Sequence, residues 1–303
     1  MIKNHGKTIL SKQSIHFLTC CRVNGLLQYY YKIIGGTIWL HRKVAPMACP
    51  DRRKSHMKLT FLGTSHGVPA ADRYCQSILA QTENGGYIID AGAPVFDCLL
   101  RQNVDINKIR AVFITHMHGD HVDCLFGLIG IACWYYTDMR FDVFLPEQKG
   151  IDAVTAFLEA TLGDPALFPN DRVRLRLMKE GEVYQDGEMK VTAFPTGHLR
   201  AQGRPAYGYL LESGGKRVYI SGDLNGETID YPAFLEEEPV DAFVVECAHF
   251  PAERLAERLL SCKAEKVLPV HVWPLDKYDI LKQAESTLPF PMAYPADGDS
   301  YVI

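Results

Sequence analysis

The feature that most constrains this chain is a group of histidines and one aspartate directly after an apolar segment. The segment Ala111–Ile114 is apolar, and Thr115 leads from it into the run His116-Met117-His118-Gly119-Asp120-His121. This pattern indicates a buried strand that ends in a strand-to-helix turn. Imidazole nitrogens and carboxylate oxygens both bind zinc-like cations at about 2.0–2.2 Å. Because three imidazoles and a carboxylate occur within six residues, the cluster predicts a metal site.

Three further candidate ligands, His198, Asp223 and His271, each come at the end of an apolar, strand-like run. Functional residues of α/β folds usually lie where strands meet loops. Glycines next to His198 and Asp223 permit tight turns there. We therefore predict one metal site formed by His116, His118, Asp120, His121, His198, Asp223 and His271.

From Met57 onward, short apolar runs alternate with turn signals. The predicted strands are Leu59–Leu62, Ser77–Gln81, Tyr87–Asp90, Ala111–Thr115, Asp142–Leu145, Lys190–Phe194, Tyr207–Glu212, Arg217–Ser221, Ala242–Glu246 and Val267–His271. The predicted helices are Val122–Tyr136, Ile151–Leu162, Ala252–Cys262 and Tyr278–Ser286. Strands in runs with helices between them indicate one layered α/β domain over residues 57–303, with two sheets covered by outer helices.

Residues 1–56 differ from the remainder, because they are basic and show no sustained period of two or 3.6 residues. Three interpretations compete: a disordered basic extension, a targeting sequence, or upstream sequence included through a mistaken start codon. We favour the third, because Met57 opens an uninterrupted strand pattern.

Net charge, the length of apolar runs and the cysteine count limit which partners and which cellular compartment are expected. A net charge of −4 gives no long-range attraction to a polyanion, so neither a long nucleic acid nor a membrane surface is expected as a partner. No stretch approaches the roughly 20 apolar residues that span a bilayer. Nine cysteines, an odd number without a Cys-x-x-Cys pair, indicate reduced thiols in a cytoplasmic protein.

The His-x-His-x-Asp-His run, followed in order by His198, Asp223 and His271, resembles the metallo-β-lactamase superfamily. The resemblance covers Met57 to Ile303 and implies an αββα sandwich, two mixed β-sheets flanked by helices. It also implies two divalent metal ions, zinc by preference, with manganese or iron as alternatives. The implied ligands are His116, His118 and His198 for the first ion, Asp120, His121 and His271 for the second, and Asp223 as the bridge.

Within the superfamily, the phosphodiesterase branch fits best. The run Phe61-Leu62-Gly63-Thr64-Ser65-His66-Gly67-Val68-Pro69 resembles the opening of ribonuclease Z and of the cyclic-phosphate phosphodiesterases of phosphonate metabolism. The segment Pro205–Tyr209 and the pair Glu246 and His249 also resemble that branch. The resemblance implies hydrolysis of a small or cyclic phosphodiester by water that two metal ions activate. Asp120 would orient the nucleophile, and His249, held by Glu246, would protonate the leaving oxygen.

Some features depart from these relatives. The segment Ala70–Cys75 has one cysteine where the phosphonate-pathway enzymes carry a cluster, and there is no Gly/Pro-rich basic arm as in tRNA-processing ribonuclease Z. These departures argue against tRNA and long nucleic acid as substrates. The expected partner is a small phosphodiester, with His66, Arg200 and Arg204 as candidate substrate contacts.

Two other functions and the oligomeric state stay open. The same fold can hydrolyse a lactone, a thioester or a sulfate ester, and a protein with these ligands can bind metal without catalysis. A homodimer is an alternative to a monomer.

Overall fold

A computed structural model describes residues 18–23, 26–31, 56–68, 70–163 and 171–303. The chain divides into two compact units, Met1–Lys54 and Ser55–Ile303. In the first unit, strands β1 (Leu18–Val23) and β2 (Leu26–Tyr31) pair antiparallel, where the sequence analysis predicted no strand. Apart from His56, the remainder of the predicted N-terminal extension lies outside the described residues, so the three interpretations of that extension stay predictions.

The second unit contains two sheets. Its strands are β3 (Lys58–Gly63), β4 (Ser77–Gln81), β5 (Gly86–Ile89), β6 (Ile109–Phe113), β7 (Phe141–Leu145), β8 (Val173–Leu177), β9 (Gly181–Gln185), β10 (Lys190–Pro195), β11 (Tyr207–Ser213), β12 (Lys216–Ile220), β13 (Ala242–Cys247), β14 (Val267–Val272) and β15 (Ser300–Val302). One sheet has the order β15-β3-β4-β5-β6-β7-β8, and the other has the order β14-β13-β12-β11-β10-β9. Each sheet mixes parallel and antiparallel pairs, which confirms the predicted mixed sheets.

Helices cover the outer faces of both sheets. They are α1 (Val95–Arg101), α2 (Gly119–Val122), α3 (Leu125–Trp134), α4 (Gln148–Leu162), α5 (Phe234–Glu237), α6 (Ala252–Leu259) and α7 (Lys277–Ala284). Apolar side chains of α1, α3 and α4 pack on the seven-stranded sheet, and those of α6 and α7 pack on the six-stranded sheet. The predicted αββα sandwich is therefore confirmed. Among the described residues, no helix combines the length and the apolar character that crossing a bilayer requires.

A third apolar cluster fills the space between the two sheets. Phe113 of β6 stacks on Phe144 of β7, with ring centroids 5.0 Å apart. Tyr209 of β11 is fully buried and donates its hydroxyl to the Ile114 carbonyl oxygen over 2.6 Å. Because a buried hydroxyl without a partner costs about 1–3 kcal/mol, this bond fixes β11 against the end of β6, where the histidine cluster begins.

The ten predicted strands of residues 57–303 are present within a few residues, but several other elements, among them β15 and α5, were missed or misjudged. The missed strands β8 and β9 lie at the edges of their sheets and are only partly buried, which weakens the apolar pattern. The predicted helix Val122–Tyr136 is broken, because the Cys124 amide donates to the Ala91 carbonyl oxygen outside the helix. Helix α1 was missed because its seven residues are too few to show a period.

Candidate active site

The seven predicted metal-site residues converge where strands of both sheets end. The run from His116 to His121 follows β6 of the seven-stranded sheet. In the other sheet His198 follows β10, Asp223 follows β12, and His271 lies in β14. Because β12, β13 and β14 are parallel, their carboxyl ends meet at one edge, as in other sheets that bind ligands there.

These residues form two adjoining groups whose possible ligand atoms lie within 4.8 Å of one another: His116, His118, His198 and Asp223 in one, and Asp120, His121 and His271 in the other. In the first group, His198 Nε2 is 3.4 Å from His118 Nδ1. In the second, Asp120 Oδ2 is 3.1 Å from His271 Nε2 and 3.4 Å from His121 Nε2. The structure thus brings all seven residues together in the two sets that the resemblance implied.

Asp223 lies between the two groups and turns one oxygen toward each. Its Oδ2 is 3.6 Å from the Nε2 atoms of His116 and His198. Its Oδ1 is 3.5 Å from His121 Nε2 and 3.6 Å from His271 Nδ1. A carboxylate in this position can bridge two cations.

The turn that presents Asp223 requires a glycine. Gly222 has a φ of +57°, and a Cβ at this position would lie 2.5 Å from the Tyr207 carbonyl oxygen. Any side chain would therefore be strained and would clash with the backbone that follows the His198 loop. The position of the bridging carboxylate depends on this residue.

Four buried atoms of the cluster lack a hydrogen-bond partner within the described part of the chain: His116 Nε2, His121 Nε2, His271 Nδ1 and Asp223 Oδ1. Each unpartnered buried polar atom costs about 1–3 kcal/mol. All four are nitrogen or oxygen atoms of the kind that bind zinc-like cations, and they face one another. The cluster therefore fits divalent metal binding better than it fits an empty polar core.

The charges of the cluster support the same conclusion. Burial lowers the pKa of His116 well below its ordinary value, so its imidazole is neutral and can donate a lone pair. Burial would raise the pKa of Asp223, but the neighbouring His271 and His121 outweigh it and hold this pKa well below its usual range. For His121, burial is outweighed by the charges of Asp223 and Asp90, which raise its pKa well above the ordinary value. The carboxylates around His121 therefore stabilise a positive charge at this position, and a bound cation can supply that charge.

Asp90, which the sequence analysis missed, supports the cluster through the nitrogen of His121 that does not face the other candidate ligands. Its Oδ2 accepts a hydrogen bond from His121 Nδ1 over 2.7 Å. Its two oxygens also accept the Thr115 amide over 2.7 Å and the Thr115 hydroxyl over 2.9 Å. Asp90 has a φ of +61° and His271 a φ of +49°, both in the left-handed region, where non-glycine residues are strained. The sequence feature that could have identified Asp90 is its position, as an aspartate at the end of a predicted buried strand.

Two other residues outside the predicted set hold the loops of His198 and Asp223 together. Asp230 accepts the Gly197 amide over 2.5 Å with one oxygen and the Asn225 amide over 2.7 Å with the other. The Asn225 side chain donates to the Gly197 carbonyl oxygen over 3.3 Å. One carboxylate thereby links a residue next to His198 with a residue that follows Asp223.

Glu246 and His249 form a pair at the edge of the cluster. His249 Nδ1 lies 3.0 Å from Glu246 Oε1, and His249 Nε2 lies 3.8 Å from Asp223 Oδ2. Burial lowers the pKa of His249, but the hydrogen bond to Glu246 and the charges of Glu246 and Asp223 outweigh it and raise that pKa to about 9. One third of the His249 side chain is exposed, whereas Glu246 is buried. His249 therefore has one ring nitrogen held by Glu246 and presents the other to Asp223 and to solvent, where a bound molecule can reach it.

The candidate substrate contacts are placed differently from one another. The His66 ring stacks on Trp273 at 4.4 Å between centroids and lies 6.1 Å from the His271 ring, so it borders the cluster. Arg204 is bound to Glu147, with Nε 3.0 Å from Oε1, and its guanidinium is occupied by that pair. Arg200 is exposed and pairs with no side chain of the described residues. Only His66 adjoins the cluster through direct ring contacts.

A family model described as "Anti-Pycsar protein Apyc1" matches residues 57–256. The chain is 34% identical over 159 residues to ribonuclease BN of Cronobacter sakazakii, a match covering 52% of this chain and 49% of that protein. It is 31% identical over 160 residues to ribonuclease Z of Thermosynechococcus vestitus, covering 52% of this chain and 37% of that protein. The matches thus span about half the length of these curated relatives or less.

Solved structures agree in fold. The metallo-β-lactamase fold protein YhfI from Bacillus subtilis superposes with a TM-score of 0.65 at 18% identity, covering 82% of this chain and 100% of that one. The short form of human tRNase Z superposes with a TM-score of 0.63 at 19% identity, covering 81% of this chain and 98% of that one. These comparisons confirm the predicted metallo-β-lactamase fold and the resemblance to its ribonuclease Z-like phosphodiesterase branch.

The prediction that this chain takes no long nucleic acid is wrong. Its relatives carry the names ribonuclease BN and ribonuclease Z, which are enzymes of RNA. The prediction used the net charge of −4, which describes the field far from the molecule. The field at a site depends on local groups and bound cations instead, so net charge does not exclude RNA.

Proposed function

This chain belongs to the family described as Anti-Pycsar protein Apyc1, and on that premise we propose that it is a metal-dependent phosphodiesterase that hydrolyses small or cyclic phosphodiesters. The observation that carries the proposal is the position of His249 beside the metal-ligand cluster, 3.8 Å from Asp223 and bonded to Glu246. A proton donor at the edge of such a cluster suits a reaction with an oxygen leaving group.

We assign the first metal ion to His116, His118 and His198 and the second to Asp120, His121 and His271, with Asp223 between them. Zinc suits this histidine-rich set, and manganese suits it next best. When bound, two divalent cations make water a stronger nucleophile at neutral pH and neutralise charge that develops on phosphoryl oxygens.

The protein's own side chains supply position and a proton. Asp120 accepts from His271 Nε2 over 3.1 Å, so its carboxylate is fixed where it can orient an attacking water. Burial would raise the pKa of Asp120, but the neighbouring imidazoles of His121 and His271 hold this pKa below its usual range and keep the group ionised. His249 transfers the proton on its exposed nitrogen to the departing oxygen, while Glu246 holds the other nitrogen.

Substrate contacts are assigned to His66, which borders the cluster, and to Arg200, whose exposed guanidinium is available to a phosphate. Arg204 is the weakest of the three candidates, because its guanidinium is bound to Glu147. We place the protein in the cytoplasm, since the six cysteines of the described residues are free thiols, as a reducing compartment favours.

RNA is a second candidate substrate, favoured by the 34% and 31% identities to proteins named ribonuclease BN and ribonuclease Z. The chemistry would be the same, because an RNA backbone is a chain of phosphodiesters. A small or cyclic phosphodiester and an RNA differ in the size of the molecule that must fit beside the metal-ligand cluster.

The test is a substrate panel with zinc-loaded and manganese-loaded protein: a 3′,5′-cyclic nucleotide, bis-p-nitrophenyl phosphate, a short RNA with a 3′ extension, and a lactone. We expect hydrolysis of the first two, and Asp120→Ala should abolish it. The exposed Asp138 provides the matched control, Asp138→Ala, with full activity. Cleavage of RNA alone would move the assignment to the second candidate, and activity confined to the lactone would refute the phosphodiesterase.

A further inference from the structure

Lys277, at the start of α7, holds the backbone on both sides of His249. Its Nζ donates to the carbonyl oxygens of Cys247 at 3.0 Å, Ala248 at 3.0 Å and Phe250 at 2.7 Å. An ammonium group has three N–H donors, so all three are used on one four-residue segment. The segment begins at Cys247, the last residue of β13, and carries His249.

Glu246 holds the same segment from the opposite direction. Its Oε2 accepts the amides of Ala248 at 2.7 Å and His249 at 3.3 Å, and its Oε1 accepts from His249 Nδ1 at 3.0 Å. The carbonyl groups of the segment thus face a cation and its amide groups face an anion. Gly226 completes the support, because a Cβ there would lie 2.8 Å from the His249 carbonyl oxygen.

Lys277 also connects this segment to the metal cluster. It lies six residues after His271 of β14. Within the described residues Lys277 forms no ion pair with a carboxylate, and the three carbonyl oxygens are its hydrogen-bond partners there. Hydrogen bonds from a charged donor are stronger than those between neutral groups, and three of them fix a loop that has no regular structure.

We propose that Lys277 is a positioning residue that keeps His249 at the leaving-group side of the site. The proposal deepens the proposed function and rests on it, because the position matters only if His249 transfers a proton. Misplacement of a catalytic group by about 1 Å can cost about 100-fold in rate. Loss of the Lys277 contacts should therefore lower the rate of those reactions that need the proton.

The experiment compares Lys277→Met, which removes the ammonium and keeps the length, with Lys277→Arg, which restores donors. Lys282→Met on the exposed side of the same helix is the matched control. Each zinc-loaded protein is assayed on a 3′,5′-cyclic nucleotide, whose leaving alkoxide needs a proton, and on bis-p-nitrophenyl phosphate, whose nitrophenolate does not.

We expect Lys277→Met to lower kcat on the cyclic nucleotide by about 10- to 100-fold and on bis-p-nitrophenyl phosphate by less than about 3-fold. Lys277→Arg should recover most of the lost rate, and Lys282→Met should match the wild type. In the His249→Ala background, Lys277→Met should have no further effect on the cyclic nucleotide, because both changes act through the same group. Equal losses on both substrates, or additive effects with His249→Ala, would overturn the proposal.

A readout independent of activity separates this inference from the proposed function. Amide hydrogen exchange of the segment from Cys247 to Phe250 should become faster in Lys277→Met and stay unchanged in Lys282→Met. Unchanged exchange in Lys277→Met would overturn the positioning role whatever the substrate is. Faster exchange in a protein that hydrolyses neither diester would retain the role of Lys277 in holding the segment and reject the hydrolysis of small diesters.

Discussion

His121 donates its Nδ1–H to the Asp90 carboxylate over 2.7 Å, and this bond determines which nitrogen of His121 faces the other candidate ligands. Nε2 then lies 3.4 Å from Asp120 and 3.5 Å from Asp223. A carboxylate behind a ligating imidazole fixes its tautomer and raises its basicity. Asp90 therefore belongs to the function of the cluster although it touches no other member of it.

Asp90→Asn should weaken metal binding about 10- to 100-fold while the protein stays folded, because an amide keeps the volume but cannot support the imidazole as well. Titration against a chromophoric chelator measures the affinity. Asp97→Asn, at an exposed position of α1, is the matched control. Wild-type affinity in the Asp90 variant would show that the bond is not part of the metal site.

His249→Ala should lower kcat on a 3′,5′-cyclic nucleotide by about 10²- to 10⁴-fold, the usual worth of a general acid. The rate on bis-p-nitrophenyl phosphate should fall less than about 10-fold, because nitrophenolate leaves without a proton. Metal content, measured by elemental analysis, should be unchanged. If the variant instead loses metal, His249 is a ligand together with Asp223 and His271, which lie within 4.8 Å of it.

Gly222→Ala should destabilise the protein by about 1–3 kcal/mol, because the residue has a φ of +57° and its Cβ would lie 2.5 Å from the Tyr207 carbonyl oxygen. The displaced turn should also move Asp223 and weaken metal binding. Gly163→Ala is the control, since Gly163 has a φ of +69° with no atom within 4 Å of an added Cβ. Urea unfolding with and without zinc measures both effects, and equal losses in the two variants would exclude a role for the clash.

Asp186→Asn should reduce stability only above about pH 4. Burial would raise the pKa of Asp186, but hydrogen bonds from the Met189 amide and the Tyr87 hydroxyl outweigh it and lower this pKa below its ordinary value. A group with a depressed folded pKa stabilises the protein above its unfolded value of about 3.9, and this contribution is lost as pH falls through the folded pKa.

The expected difference at pH 7 is about 1 kcal/mol, because the group is partly exposed and solvent screens it. Urea midpoints of the metal-free protein between pH 7 and pH 3 should converge for the wild type and Asp186→Asn as the pH falls. Asp138→Asn, exposed and remote from such bonds, is the control. A difference that grows toward pH 3 would contradict the assigned sign.

Local patterns predicted much of the molecule from sequence. The apolar runs that became β6, β12 and β14 were recognisable because at least the last three residues of each strand are buried, and the candidate ligands stand at or just after those ends. The edge strands β8 and β9 have one neighbouring strand and mixed exposure, so their pattern was too weak to recognise. The burial of a strand, rather than its length, decided whether it could be recognised from the sequence.

The sequence by itself determined the kinds of ligand and their places at strand ends, since periodicity and residue chemistry are local properties. Only the tertiary structure decided that Asp223 turns one oxygen to each ligand group, that Asp90 stands behind His121, and that Lys277 grips the His249 segment. These pairs are separated by tens of residues, and their distances follow from how two sheets and a helix pack. Contacts between residues so far apart in sequence produce no periodic pattern along the chain. Supporting residues such as Asp90 and Lys277 could therefore be identified only from the structure.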